Sequence, residues 1–375
     1  MRTVTKVAVT HCRGRIEEGE MTKSKLRQAG AFVAAAGLIL TAVAVGSNSA
    51  TAAPKKLIGI AFDLGGKDNP GFNQLAYIGY QQFANSHPGW DEKDLQGANS
   101  DTDATRAQRL QLLVSAGCNP IVVVGFSYHA ALQTVAAKNP NVKFALVDDS
   151  IDNAPNVEGL EFKAEQGSYV VGAIAALTSK THSVGFIGGV NVPLIQAFEA
   201  GFKAGVAKIN PNTKYQSTYA SNPPDFSGFN APDKGKEAAL GMFQNGADVV
   251  YSAAGSTGLG AHQAAAQAGA GHWSIGVDAD EALYPVNQKV ANFILTSALK
   301  NVNVGVKSFL KDATGGTFTP GVHMFGIDNG GVGYSLTGSH ISAGVRVKVN
   351  ALIKQISSGE IVVPTDPTKI NLPTK

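Results

Sequence analysis

The chain has two cysteines, and Cys12 lies in an N-terminal segment expected to be removed, so Cys118 is left alone. No intramolecular disulfide can form in what remains, and stability has to come from buried apolar surface. Charged residues make up 16% of the sequence and aromatics 7%, with no block of one charge sign to suggest a polyanion-binding tail. The eight histidines show no pair at helical spacing with a supporting acid, which argues against a metal site, and no cofactor motif is complete. The longest apolar stretch, residues 31–46, is shorter than the roughly 20 residues of a stable membrane-spanning helix.

What that stretch has instead is context. It follows Lys23, Lys25 and Arg27 and runs into Ala50-Thr51-Ala52, the order of basic, apolar and small-residue regions found in a secretory signal peptide. Residues 1–53 are therefore read as an N-terminal extension plus signal peptide, with translation expected to start at Met21. Residues 54–375 are read as the mature protein. No cysteine stands at the end of the apolar stretch to carry a lipid, so a periplasmic location is expected. Seven of the 31 Lys and Arg and three of the 28 acids lie in residues 1–53, and the formal net charge changes from +3 to −1 when they leave. A nucleic-acid partner is not expected.

Val- and Ile-rich runs then alternate with helix-period segments. Strands are expected at 57–62, 121–124, 144–147, 184–187, 215–219, 249–252, 275–277 and 294–296. Helices are expected at 72–85, 104–116, 130–138, 166–178, 194–209, 233–245, 259–268, 302–312 and 342–357. This is an α/β pattern with parallel sheets covered by helices on both faces. It restarts near Ser183, which suggests two lobes joined by several crossovers: a first over about 55–165, a second over about 183–295, and returning C-terminal segments in each. Several strands end in Gly or Asp, at Asp63, Gly125, Asp148, Gly255 and Asp278, and the carboxyl ends of parallel strands are where α/β proteins hold ligands.

The stretches Asp63-Leu64-Gly65-Gly66-Lys67-Asp68-Asn69-Pro70-Gly71-Phe72-Asn73-Gln74, Gln166-Gly167-Ser168-Tyr169, Val184-Gly185-Phe186-Ile187-Gly188-Gly189, Ala253-Ala254-Gly255-Ser256-Thr257-Gly258, Gly276-Val277-Asp278-Ala279-Asp280 and Asp328-Asn329-Gly330-Gly331-Val332-Gly333 occur in that order. Together with Thr296-Ser297-Ala298-Leu299-Lys300 they make residues 55–354 resemble the basic membrane protein family of ABC-transporter substrate-binding proteins, which includes purine-nucleoside receptors. The resemblance implies a type I periplasmic-binding-protein fold, no catalysis and no cofactor. It also implies a small-molecule ligand and an ABC permease as partner, with the protein expected to be a monomer.

By the same resemblance Phe72 and Phe229 match positions that stack a purine, while Asp278 and Lys300 match positions that hold ribose hydroxyls. Asp63, Asn73 and Asp148 offer acceptors and an amide to a base edge, and Gly255 lets backbone approach a ligand. Each also has a plain structural explanation, as a core Phe, a turn-capping Asp or a surface salt bridge. Asp149, beside Asp148, competes for its role. Two departures stand out: Gly71 replaces the Ser usual before the Phe, and residues 222–228 form an insertion that brings Phe226 next to Phe229.

The expected function is that of an extracytoplasmic receptor for a purine nucleoside or related small molecule. A sugar or other small polar solute is the alternative ligand, since aromatic faces and carboxylates also suit sugars. A secreted α/β hydrolase is the alternative class. Only the fragment Gly125-Phe126-Ser127-Tyr128-His129 speaks for it, and that fragment lacks the final Gly of a nucleophile elbow.

Overall fold

In a computed structural model, the described residues are 55–374 except Asn99; the expected signal peptide and the Met21 start lie outside them. The first five strands are β1 (Lys56–Ala61), β2 (Trp90–Leu95), β3 (Cys118–Val124), β4 (Phe144–Val147) and β5 (Val157–Phe162). The next five are β6 (Ser183–Val190), β7 (Lys214–Ser221), β8 (Val249–Ala253), β9 (Trp273–Asp278) and β10 (Ile294–Lys300). Two late strands return separately, β11 (Gly321–Phe325) to the first sheet and β12 (Val332–Tyr334) to the second. The sheets have the orders β11-β5-β4-β3-β1-β2 and β12-β10-β9-β8-β6-β7, and every pairing is parallel except β10 with β12.

Each lobe thus repeats one doubly wound order, 2-1-3-4-5, whose ligand crevice opens where the order reverses, at β1/β3 and at β6/β8. Side chains alternate between two buried faces. Ile58, Ile60, Phe62, Val122 and Val124 face one core of the first sheet, and Ala61, Ile121 and Val123 face the other. Both faces are covered by helices, which is why these strands read as continuous apolar runs.

Nine helices stand among the described residues, and all nine fall where sequence periodicity puts them. On the first lobe are α1 (Phe72–Ser86), α2 (Asp103–Ser115) and α3 (His129–Lys138), with the later α8 (Val302–Gly315) sharing the α1 core. On the second are α4 (Ala164–Thr178), α5 (Pro193–Ile209), α6 (Pro232–Gln244), α7 (Gly258–Ala268) and α9 (Ala343–Ser357). Local chemistry sets their starts. Thr102 and Thr105 form a reciprocal capping box for α2, Ser342 caps α9 through the Val345 amide, and Pro193 and Pro232 occupy first-turn positions where no amide is needed.

Sequence periodicity missed β2, β5, β11 and β12. β2 (WDEKDL) and β11 (GVHMF) are sheet edges with little buried apolar surface, β5 carries Glu158 and Gly159, and β12 is three residues long. Such strands are recruited by pairing with neighbours already in place.

The chain passes between the lobes three times, and the crossings lie against one another. The Lys163 amide donates to the Phe325 carbonyl at 2.8 Å, Ile327 donates to the Gln166 side chain at 2.9 Å, and Asn301 donates to the Gly331 carbonyl at 2.8 Å. The tail folds back on the second lobe, where the Tyr215 amide donates to Pro373 O and Lys203 Nζ to Pro367 O.

Helices α4 and α5 approach closely because glycines face backbone. A Cβ on Gly201 would collide with the Glu165 carbonyl, and one on Gly205 with the Tyr169 carbonyl. Gly205→Ala should therefore cost about 1–3 kcal/mol through overpacking, despite a helix-propensity gain of about 1 kcal/mol. Urea unfolding checks this; a variant as stable as the wild type would mean the helix pair yields without strain.

Candidate functional site

The turns after the strands carry the polar residues of one cleft. Gly71, at φ 93, ends the loop after β1 and starts α1, so Phe72 opens the helix at the cleft wall with Asn73 buried beside it. Asp148 follows β4 and Asp278 ends β9, equivalent strand ends in the two lobes. Both take left-handed backbone, φ 66 and 62, which is uncommon for non-glycine residues and tends to persist where surroundings over-determine it. Gly125 and Gly255 occupy the turns after β3 and β8. At Gly125 a side chain would run into the Asp63 carboxylate; at Gly255 it would press on the Phe229 carbonyl.

These turns border a partly open cleft of about 690 Å3, open solvent included, and Asp63, Phe72, Asn73, Asp148, Phe229, Gly255, Asp278 and Lys300 all line it. All eight residues singled out from the sequence meet in one place. Asp149 does not; it pairs with His129 at 2.7 Å. Phe229, rather than Phe226, faces the cleft, lying over Gly189, whose missing side chain leaves room for the ring. Phe226 packs instead against Phe126 with ring centroids 6.0 Å apart.

Lys300, the last residue of β10, places its ammonium 2.6 Å from Asp148 Oδ2 and 3.4 Å from Asp278 Oδ1. The first is a formed hydrogen bond, and the second is an electrostatic contact only. Side-chain exposures of 5%, 5% and 10% for Lys300, Asp148 and Asp278 leave little room for water to screen the group. Burial alone would lower the Lys300 pKa, but the two carboxylates outweigh it and hold the ammonium above its ordinary value. One ammonium cannot fully serve two acids. Burial, with Asp148 adding its charge, pushes Asp278 up to about 6 against the pull of Lys300. The ammonium also lies 4.5 Å from the Phe72 ring centre and 5.5 Å from that of Phe198.

Asp148 therefore groups with Asp278 and Lys300 at one end, apart from Asp63. At the other end Asp63 accepts from Ser127 Oγ at 2.9 Å, and burial raises its pKa. Asn73 Nδ2 donates to Leu64 O at 2.9 Å. Three buried oxygens, Asn73 Oδ1, Asp148 Oδ1 and Asp278 Oδ1, have no hydrogen-bond donor in the protein.

With that geometry stands a sequence comparison: the family model described as ABC transporter substrate-binding protein PnrA-like (Bmp) matches residues 56–366. The chain belongs to the Bmp family. The CD4+ T-cell-stimulating antigen of Listeria monocytogenes is 35% identical over 92% of this chain and 100% of its own length. The ABC transporter nucleoside-binding protein BmpA of Lactococcus lactis is 30% identical over 82% of this chain and 88% of its own. Among solved structures, a solute-binding protein of an ABC transporter system from Aeropyrum pernix superposes with a TM-score of 0.72 at 27% identity, covering 84% of this chain and 95% of that one. Bmp proteins are binding subunits and perform no catalysis, which sets the hydrolase alternative aside. The geometry agrees, since Ser127 donates to Asp63 while His129 pairs with Asp149. A second Ser–His–acid set, Ser274, His262 and Glu281, is wholly buried.

Sequence reasoning missed several cleft residues of this Bmp protein. Asn69 accepts from Ser256 Oγ across the cleft, joining the lobes directly. Leu194, Ile195 and Phe198 line it from the start of α5, where a cleft-facing apolar residue has the same periodicity as a core one. Asn69 lies within the recognised first-loop stretch, and that was the one available signal.

The buried triad makes stability depend on pH. The folded state holds a proton on Asp278 up to about pH 6, whereas the unfolded chain releases it near 3.8, so this group's contribution is present below about 4 and is lost as pH rises to about 6. Asp278→Asn should abolish that decline, making the ligand-free variant more stable than wild type at pH 7.5 by roughly 2–3 kcal/mol and similar at pH 4. Parallel denaturation curves for the two proteins across pH 4–7.5 would exclude this effect.

Proposed function

We propose that this Bmp-family protein is a receptor that closes its lobes over a purine nucleoside and presents it to an ABC permease. The observation that carries this is the set of buried acceptors that receive no hydrogen bond, Asn73 Oδ1, Asp148 Oδ1 and Asp278 Oδ1, the last with only the Lys300 ammonium at 3.4 Å, in a cleft also lined by Phe72 and Phe229. Such acceptors require a ligand rich in N–H and O–H donors, because a buried acceptor without one costs about 1–3 kcal/mol. The rings call for a flat body between them. A nucleoside joins both requirements in one molecule, with hydroxyls toward Asp148, Asp278 and Lys300 and the base toward Asp63 and Asn73.

Closure follows the same logic. Phe72, Asn73 and Asp148 belong to the first lobe and Phe229, Gly255 and Asp278 to the second, so a ligand touching both favours the closed pair. On this reading the protein works as a monomer. It would act in the periplasm; no described helix is long and apolar enough to cross a membrane. Mature protein found only in salt-washed membranes would contradict that location.

Calorimetry with purified protein tests the ligand. Adenosine or guanosine should bind, free ribose should bind poorly, and Phe72→Ala or Phe229→Ala should each weaken nucleoside binding by about 1–3 kcal/mol. Equal affinity for ribose and its nucleosides would remove the base from the site. The hydroxyl end has its own check. Wild type should prefer a ribonucleoside over its 2′-deoxy analogue by about 1–3 kcal/mol, and Asp278→Ala should erase most of that preference. Indifference of the wild type to the missing hydroxyl would refute hydroxyl recognition there.

A further inference from the structure

The cleft does not end at Asp63. A second, partly open space of about 640 Å3, open solvent included, shares Asp63, Leu64, Phe126 and Phe229 with the first and continues it beyond Asp63. Its remaining walls come from both lobes: Arg106 and Ser127 from the first, Pro224, Phe226 and Ser227 from the insertion at residues 222–228. The insertion is a built wall. Ser221 Oγ donates to Asp225 O at 2.6 Å, the Ser227 amide to Asp225 Oδ1 at 2.8 Å, and Thr257 Oγ1 to Gly228 O at 2.7 Å.

The chemistry of this chamber is specific. Phe126 and Phe226 offer apolar ring surface, and buried Arg106 Nε is a donor with no acceptor in the protein. Asp101 and Asp225 also border the space, and Asp101 is already paired with Arg109 at 2.7 Å. Arg106 in turn pairs with Asp103 through Nη1 at 3.5 Å, so the charges of Asp101 and Arg106 are already matched. The remaining acids, Asp63 and Asp225, disfavour an anionic occupant, while the open Arg106 Nε calls for an acceptor oxygen.

We propose that the chamber receives a neutral substituent on the exocyclic nitrogen of the purine, an apolar or aryl group with a carbonyl or hydroxyl oxygen for Arg106. This rests on the nucleoside reading of the main cleft and deepens it: the preferred ligands are base-substituted nucleosides. A monosubstituted exocyclic amine retains one N–H to donate to Asp63 while its substituent passes over that residue into the chamber. An unsubstituted nucleoside fills the main cleft and leaves the chamber to water.

The test is calorimetry with adenosine and N6-benzoyladenosine, whose amide N–H, carbonyl and phenyl ring match Asp63, Arg106 and the aromatic pair. Wild type should bind the benzoyl compound at least as tightly as adenosine. Ser227→Trp, at an exposed position of the insertion, fills the chamber and should lower the benzoyl-to-adenosine affinity ratio about tenfold or more, with adenosine itself changed by no more than about twofold. Phe226→Ala should lower the same ratio, and reading a ratio cancels any general effect on lobe closure. Wild type binding the benzoyl compound more than about tenfold worse than adenosine, or an unchanged ratio in Ser227→Trp, overturns the chamber while leaving the nucleoside cleft standing. Failure of both compounds to bind overturns both.

Discussion

Lys300 holds one positive charge between two carboxylates that the fold delivers from opposite lobes, at 2.6 and 3.4 Å, in a place nearly closed to water. Removing Lys300 would leave buried carboxylate charge uncompensated, at a cost of about 3–5 kcal/mol, whereas neutralising Asp278 leaves one ammonium matched to one carboxylate. Lys300 ends β10, immediately before the chain crosses at Asn301 into α8. The lobe crossing and the cleft therefore meet at one residue. Any change in how the lobes sit moves Asp148 relative to Lys300, and any donor brought to the free oxygens of Asp148 and Asp278 bears on lobe position.

The doubled topology explains why this arrangement is available. Two copies of one strand order face each other with their switch points opposed, which puts Asp148 and Asp278 at matching strand ends and Gly125 and Gly255 in matching turns. Left-handed backbone at both acids aims two carboxylates at one point. Three adjacent crossings tie the halves together by backbone hydrogen bonds near that point, while Asn69 and Ser256 join them across the cleft. Closure of such a pair about a narrow hinge needs only a few residues to absorb the change.

The insertion modifies the other end. It leaves Phe229 on the main cleft over Gly189 and sends Phe226 to Phe126, so it adds a second space beside the cleft without displacing that aromatic wall. Polarity differs between the two ends as well: an ion triad closes one, while Asp63, Asp101 and Asp225, the unpartnered Nε of Arg106 and two rings border the other.

Sequence by itself determined the α/β class, nine helices and eight of the twelve strands among the described residues, because those elements bury apolar faces with a period that local composition reveals. The edge strands β2 and β11 escaped, since they bury little and form by pairing. The eight cleft residues were legible through strand-end Asp and Gly and through family motifs, which record chemistry at fixed spacing. Only the tertiary structure decided that Asp148 joins Lys300 and Asp278 rather than Asp63, that Phe229 and not Phe226 faces the cleft, and that Asn69 and Phe198 line it. Those outcomes depend on which strand ends oppose one another across two sheets. Lys300 and Asp148 are 152 residues apart, and no local pattern encodes their distance.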